Sequence, residues 1–225
     1  MAFDVRLRLG HPRSEWAVVL SIALFCMSAS QVSSSVPSGD AEGVMSNQRL
    51  FLPAVSKAFR QIFADDFEQR TLAGWTPNHG VWANTGGYMT GERVIYEAWN
   101  MRRELGSNVI YEGTLTLDTC VAAGLVFRAS ADGESSYDLT LDVVQDLVKI
   151  SRRPPYQVLG SFKLSVLHNR PYRVKVLAYG SVLEAYVDGV RRVMVTDNAY
   201  SVGHLGVLVY RGSAHYDDLQ AWALP

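Results

Sequence analysis

Acidic and basic side chains alternate with apolar ones along several short runs of the chain. Side chains in a strand point to opposite faces with period two. In residues 109–118, Val109, Tyr111, Leu115 and Leu117 share one face, and Ile110, Glu112, Thr114 and Thr116 the other. In 122–129, Leu125 and Phe127 go inward and leave Gly124, Val126 and Arg128 opposite. In 137–143, Tyr137, Leu139, Leu141 and Val143 leave Asp138, Thr140 and Asp142 opposite, and in 147–152, Val148 and Ile150 leave Lys149 and Ser151. Taken as neighbours in one antiparallel sheet, these segments gather Glu112, Arg128, Asp138, Asp142 and Lys149 on the non-core face. Such a face is either a solvated surface with cross-strand ion pairs or a polar floor for a hydroxyl-rich ligand. Guanidinium and carboxylate groups make bidentate contacts to adjacent hydroxyls.

Other chemistries lack their residues. The sequence has no His-Glu-x-x-His, no Gly-x-Ser-x-Gly, no phosphate-binding P-loop and no Gly-x-Gly-x-x-Gly. The histidines at 11, 79, 168, 204 and 215 form no short-range metal pair. Glycoside hydrolysis needs two opposed carboxylates about 5–9.5 Å apart. Glu112 and Asp142 could stand so on adjacent strands, and nothing in the sequence favours that over binding.

The elements that must position these residues are strands. Alternating runs at 109–118, 125–129, 137–143, 148–152, 172–176 and 183–187 are separated by turn signals at Asp132-Gly133, Pro154-Pro155, Tyr179-Gly180 and Asp188-Gly189. No helical pattern of useful length competes after residue 63. The rhythm predicts an all-β, two-sheet antiparallel jelly-roll sandwich with its first and last strands adjacent. Phe67, Trp75, Leu115, Phe127, Leu141, Val174, Val187 and Val207 are the expected core. The chain has 225 residues, 48% of them hydrophobic and 19% charged, enough for one full core. A formal charge of −1 argues against a broad electrostatic grip on nucleic acid.

Residues 1–30 read as a secretory signal: Arg6, Arg8 and Arg13, an apolar run from Trp16 to Met27, then Ser28-Ala29-Ser30. The run is shorter than the roughly 20 residues of a spanning helix. A secreted or cell-envelope protein without stable membrane insertion after cleavage is expected. Residues 31–62 read as a flexible linker and 63–225 as the domain. Cys26 departs with the signal, which leaves Cys120 unpaired, as a small buried hydrophobe or a loop thiol.

Ordered landmarks run through the domain: Asp66-Phe-Glu68 with Trp75, Gly80-Val-Trp82, Gly86-Gly-Tyr88, Tyr111-Glu-Gly113, Gly124-Leu-Val-Phe-Arg128, Tyr186-Val-Asp-Gly189, Gly203-His-Leu-Gly206 and Ala214-His-Tyr-Asp-Asp218. By them the chain resembles the concanavalin A-like lectin/glucanase superfamily, and within it the β-sandwich modules, levan-binding ones included, attached to glycoside hydrolase family 32 enzymes. The resemblance implies an exported, non-catalytic carbohydrate-binding module. In it Arg128, Glu112, Asp142 and the aromatic Tyr210 hold a sugar; Asp138 joins from the face argument alone. The alternatives are a hydrolase on the same sandwich, similar to 3-keto-disaccharide hydrolases, or an adhesive envelope protein. Jelly-roll sugar modules often carry a structural Ca²⁺ where first and last strands meet, which here implicates Asp66, Glu68 and Asp217. The loop Arg152-Arg-Pro-Pro-Tyr156 is unusually basic and proline-rich, a departure from such modules.

Overall fold

A computed structural model of the protein describes residues 59–225; the expected signal, and the linker up to residue 58, lie outside them. In chain order the strands are β1 (Arg60–Asp65), β2 (Trp75–Asn78), β3 (Val81–Asn84), β4 (Met89–Gly106), β5 (Val109–Leu117), β6 (Ala122–Ala129), β7 (Ser136–Asp142), β8 (Leu147–Arg153), β9 (Gln157–Lys163), β10 (Pro171–Tyr179), β11 (Val182–Val187), β12 (Val190–Thr196) and β13 (Gly203–Ala223). No helix occurs among the described residues. The first strand begins at Arg60, inside the stretch expected to be linker.

All pairings are antiparallel, in the order β12-β11-β10-β5-β13-β6-β7-β8-β9. One strand joins the two layers. The first half of β13 pairs with β6 through Tyr210↔Ala122, and its second half pairs with β5 from Ala214↔Leu117 onward. Arg211 at φ 52° and Gly212 at φ 129° mark the switch. A Cβ on Gly212 would lie 2.5 Å from the Cys120 Cα, so the crossing needs glycine there. The opposite ends of the two layers meet where Gly160 of β9 lies against Val193 and Val195 of β12. β1 closes against the end of β13, from Arg60↔Ala223 to Asp65↔Leu219, so first and last strands are adjacent as expected.

The core lies between the layers, and all eight residues expected in it are buried there. The core also holds Cys120, whose thiol burial pushes up to about 12, so it is protonated and inert at neutral pH.

One expectation about neighbours fails. β6, β7 and β8 are consecutive, but β5 pairs with β10 and the far half of β13, in the opposite layer. The alternation of β5 and β7 was legible; that β5 leaves this layer was not, because β13 crosses between the layers and its length is not marked by period two.

Candidate functional site

The outward face of the β4-β13-β6-β7-β8 layer carries three registered rows. Met101, Gly206, Val126, Asp138 and Ser151 form one; Trp99, Leu208, Gly124, Thr140 and Lys149 the next; Glu97, Tyr210, Ala122, Asp142 and Leu147 the third. Trp99, Met101, Val126, Ala129 and Leu208 form an apolar cluster separate from the main core. Beside it opens a pocket of about 490 Å³, whose lining includes Asp138, Thr140, Asp142, Lys149, Arg153 and Tyr210.

Two ion pairs organise that pocket. Arg153 donates from Nε to Asp138 Oδ1 at 3.0 Å and from Nη2 to Oδ2 at 3.2 Å, a bidentate fork. Its Nη1 reaches Glu97 Oε1 at 3.4 Å. The guanidinium also lies over the rings of Trp99 at 5.6 Å and Tyr156 at 5.4 Å. Asp138 is fully buried, and burial pushes its carboxyl above the usual range, against the pull of Arg153. Burial likewise opposes the Arg153 charge, but the Asp138 and Glu97 carboxylates outweigh it and raise the guanidinium above ordinary arginine. In the second pair Lys149 Nζ donates to Asp142 Oδ2 at 2.9 Å, while Asp142 Oδ1 accepts from the Gln145 backbone N–H at 2.8 Å. Burial alone would lower the Lys149 amine; the bond to Asp142 and its charge, with Tyr156 beside them, together outweigh that and raise it.

At the rim Tyr210 is partly exposed, with the Arg211 guanidinium 5.0 Å from its ring centre. Tyr156 is exposed at the other side, its hydroxyl accepting from Ser151 Oγ at 3.3 Å.

Of the five residues expected to share this site, the structure brings three together: Asp138, Asp142 and Tyr210. Glu112 is not among them. It sits on β5 in the other layer, where Oε1 accepts from Arg173 Nη2 at 2.8 Å and Gln220 Nε2 at 3.1 Å. Arg128 is not among them either. β6 has one residue more than β13 between Ala129↔His204 and Val126↔Gly206, and Arg128 takes φ 49°. A β-bulge of this kind breaks the alternation that period two assumes. The side chain turns away from the pocket and is 2% exposed. Its Nε donates to the Ser107 carbonyl at 2.9 Å and its Nη1 to the Tyr200 carbonyl at 3.2 Å. Burial lowers its pKa. Arg128 thus ties the β4–β5 turn to the segment before β13. The arginine paired with Asp138 in the pocket is Arg153, at the start of the basic, proline-rich loop; its charge and its position two residues past Ser151 on the polar face were the available signals.

The expected calcium ligands fare differently. Asp66, Glu68 and Asp217 do come near one another: burial raises the Asp217 carboxyl, and the charges of Asp218, Glu68 and Asp66 add to that. Yet among the described residues no three His, Cys, Asp or Glu side chains converge in a geometry that could hold a metal ion, and Ca²⁺ takes six to eight oxygens. These residues as placed do not fit the ion. Asp65 is engaged structurally, accepting from Trp75 Nε1 at 2.8 Å. The Asp217 charge is therefore a cost. A carboxyl raised in the folded state contributes stability that is complete below the ordinary value of 3.8 and lost as pH rises through the raised value. Asp217→Asn is expected to raise stability at pH 7 by about 0.5 kcal/mol, and to leave it unchanged near pH 3, as thermal melts at both pH values would show.

No family model matches the sequence. The chain is 28% identical over 171 residues to a levanase of Bacillus sp. (strain L7), a match that covers 73% of this chain and 18% of the levanase. The chain thus spans less than a fifth of that relative. Among solved structures, carbohydrate binding module CBM66 from Bacillus subtilis is 26% identical with a TM-score of 0.63, over 65% of this chain and 93% of the module. The β-glucanase of Bacillus licheniformis is 12% identical with a TM-score of 0.56, over 74% and 99% of the two chains, and shares the fold alone. No helix among the described residues is long and apolar enough to cross a membrane. With its two antiparallel layers and these likenesses, the domain has a concanavalin A-like β-sandwich fold and is similar to a segment of a levanase and to a carbohydrate-binding module.

Proposed function

We propose that the protein is an exported, non-catalytic carbohydrate-binding module, and that its ligand enters the pocket between Arg153, Asp142 and Tyr210. The observation that carries this reading is the bidentate Arg153–Asp138 pair at the floor of an open pocket. A guanidinium fixed by a carboxylate on one side and by two aromatic rings keeps unused donors in a set direction. Such donors suit vicinal hydroxyls, while the partly exposed Tyr210 ring offers a flat surface to a sugar's apolar face. The likeness to CBM66 supports the same reading.

The charges of the pocket balance in number. Glu97, Asp138 and Asp142 stand against Lys149, Arg153 and Arg211, so a neutral glycan matches the site better than a uronic acid polymer. Binding fits better than hydrolysis. Asp138 is held by Arg153 and Asp142 by Lys149, whereas glycoside hydrolysis needs a free acid opposite a second carboxylate.

The test is a panel of levan, inulin, xylan, mixed-linkage glucan and polygalacturonate, read by affinity electrophoresis and by release of reducing ends. Retardation by a neutral polymer, with no sugar released, is expected. Tyr210→Ala should weaken that retardation about tenfold or more, with the melting temperature within a degree or two of the parent. Sugar release by the wild type would establish the hydrolase alternative, and retardation unchanged by Tyr210→Ala would place the site elsewhere. Export is checked by N-terminal sequencing of protein recovered outside the cells, expected to begin near residue 31.

A further inference from the structure

The centre of the pocket floor holds a polar group that the fold leaves unpaired. Thr140 is 3% exposed, yet its Oγ1 is buried with no hydrogen-bond partner. It lines the pocket between Asp138 and Asp142, its neighbours two residues away on the same face of β7. Neither cross-strand neighbour bonds to it: on β6 it faces Gly124, which has no side chain, and on β8 it faces Lys149, whose amine donates to Asp142. A buried hydroxyl without a partner costs about 1–3 kcal/mol. Of the other members of its row, Leu208 and Gly124 carry no polar side-chain atom, Lys149 donates to Asp142, and Trp99 Nε1 is itself buried without a partner, so nothing on the protein side satisfies Thr140.

We infer that Thr140 Oγ1 is a specificity-determining contact, satisfied by a hydroxyl of a neutral sugar seated over the two ion pairs. The inference rests on the carbohydrate reading of this pocket and adds to it a particular atom. A site built with an unpaired hydroxyl discriminates strongly, because a ligand that lacks the matching group leaves the hydroxyl orphaned. The Arg153–Asp138 and Lys149–Asp142 pairs lie on either side of Thr140 along β7.

The consequence has opposite signs for folding and binding. Thr140→Val keeps the shape and removes the orphan hydroxyl. In the full chain it is expected to raise the melting temperature by about 2–4 °C, while affinity for levan, measured by isothermal titration beside the neutral polymers of the panel, falls about tenfold. Thr140→Ser restores the hydroxyl and is expected to keep affinity within about threefold of wild type. Undiminished affinity in Thr140→Val overturns the inference and leaves the carbohydrate reading standing. A lowered melting temperature in Thr140→Val also overturns it, since the hydroxyl would then have a partner in the fold. If the wild type binds no polymer of the panel, both the inference and the reading beneath it fall.

Discussion

Arg128→Ala is expected to destabilise the domain by about 3–5 kcal/mol and to leave glycan affinity of the folded fraction unchanged. Arg128 heads the fully buried side chains in size. Its removal opens a cavity and strips two carbonyls, those of exposed Ser107 and half-buried Tyr200, of their charged donor. Hydrogen bonds to charged groups contribute about 1.5–3 kcal/mol each, and the cavity adds to them. The loss should propagate, because Tyr200 is itself part of a clamp. Its backbone N–H donates to the Tyr137 hydroxyl at 3.1 Å, and its own hydroxyl donates to the Arg153 carbonyl at 2.8 Å. Arg128→Lys should recover little, since one ammonium cannot present the fork that spans both carbonyls. Chemical denaturation of the variant checks the magnitude. A variant of parental stability that no longer binds glycan would instead make Arg128 a ligand contact.

Arg128 also shows where sequence reasoning stops. The landmark Gly-Leu-Val-Phe-Arg was visible, and so was the alternation that sends Leu125 and Phe127 inward. Both inferences about burial hold. The next step assumed that alternation continues to Arg128, and a single extra residue in β6 ends it. A bulge leaves no signature in side-chain polarity: it is specified by the partner strand, here the stretch from His204 to Gly206. Glu112 failed for a different reason. Its face on β5 was assigned correctly, as a polar position beside buried Tyr111. What is not local is that β13 bends and carries β5 into the other layer. Asp138, Thr140 and Asp142 were legible because β7 has no irregularity and both its neighbours are consecutive in sequence. Arg153 was visible as charge. Its role depends on a side chain crossing the face to Asp138 and Glu97, which periodicity does not encode.

Arg153→Ala is expected to abolish glycan binding and to destabilise the fold by about 3–5 kcal/mol at pH 7, the cost of a buried charge that has lost its partner. Asp138 would keep only the Ser136 hydroxyl, 3.3 Å from Oδ1, and Glu97 would lose the same cation. The carboxyl of Asp138 is already raised by burial with Arg153 in place, and without the guanidinium it should rise further. The sign follows from linkage. A carboxyl raised in the folded state contributes stability that is complete below its unfolded value and lost as pH rises through its folded value. The defect of Arg153→Ala should therefore shrink as pH falls toward 4, when Asp138 takes up a proton and becomes neutral. Adding Asp138→Asn to Arg153→Ala removes the stranded charge at every pH. The double variant should regain most of the lost stability at pH 7 and lose the pH dependence, while binding stays absent. Denaturation of the two single variants and the double variant at pH 4.5 and 7 closes this cycle. Additive losses, or binding restored in the double variant, would show that the pair neither shares one buried charge balance nor presents the ligand with the Arg153 fork.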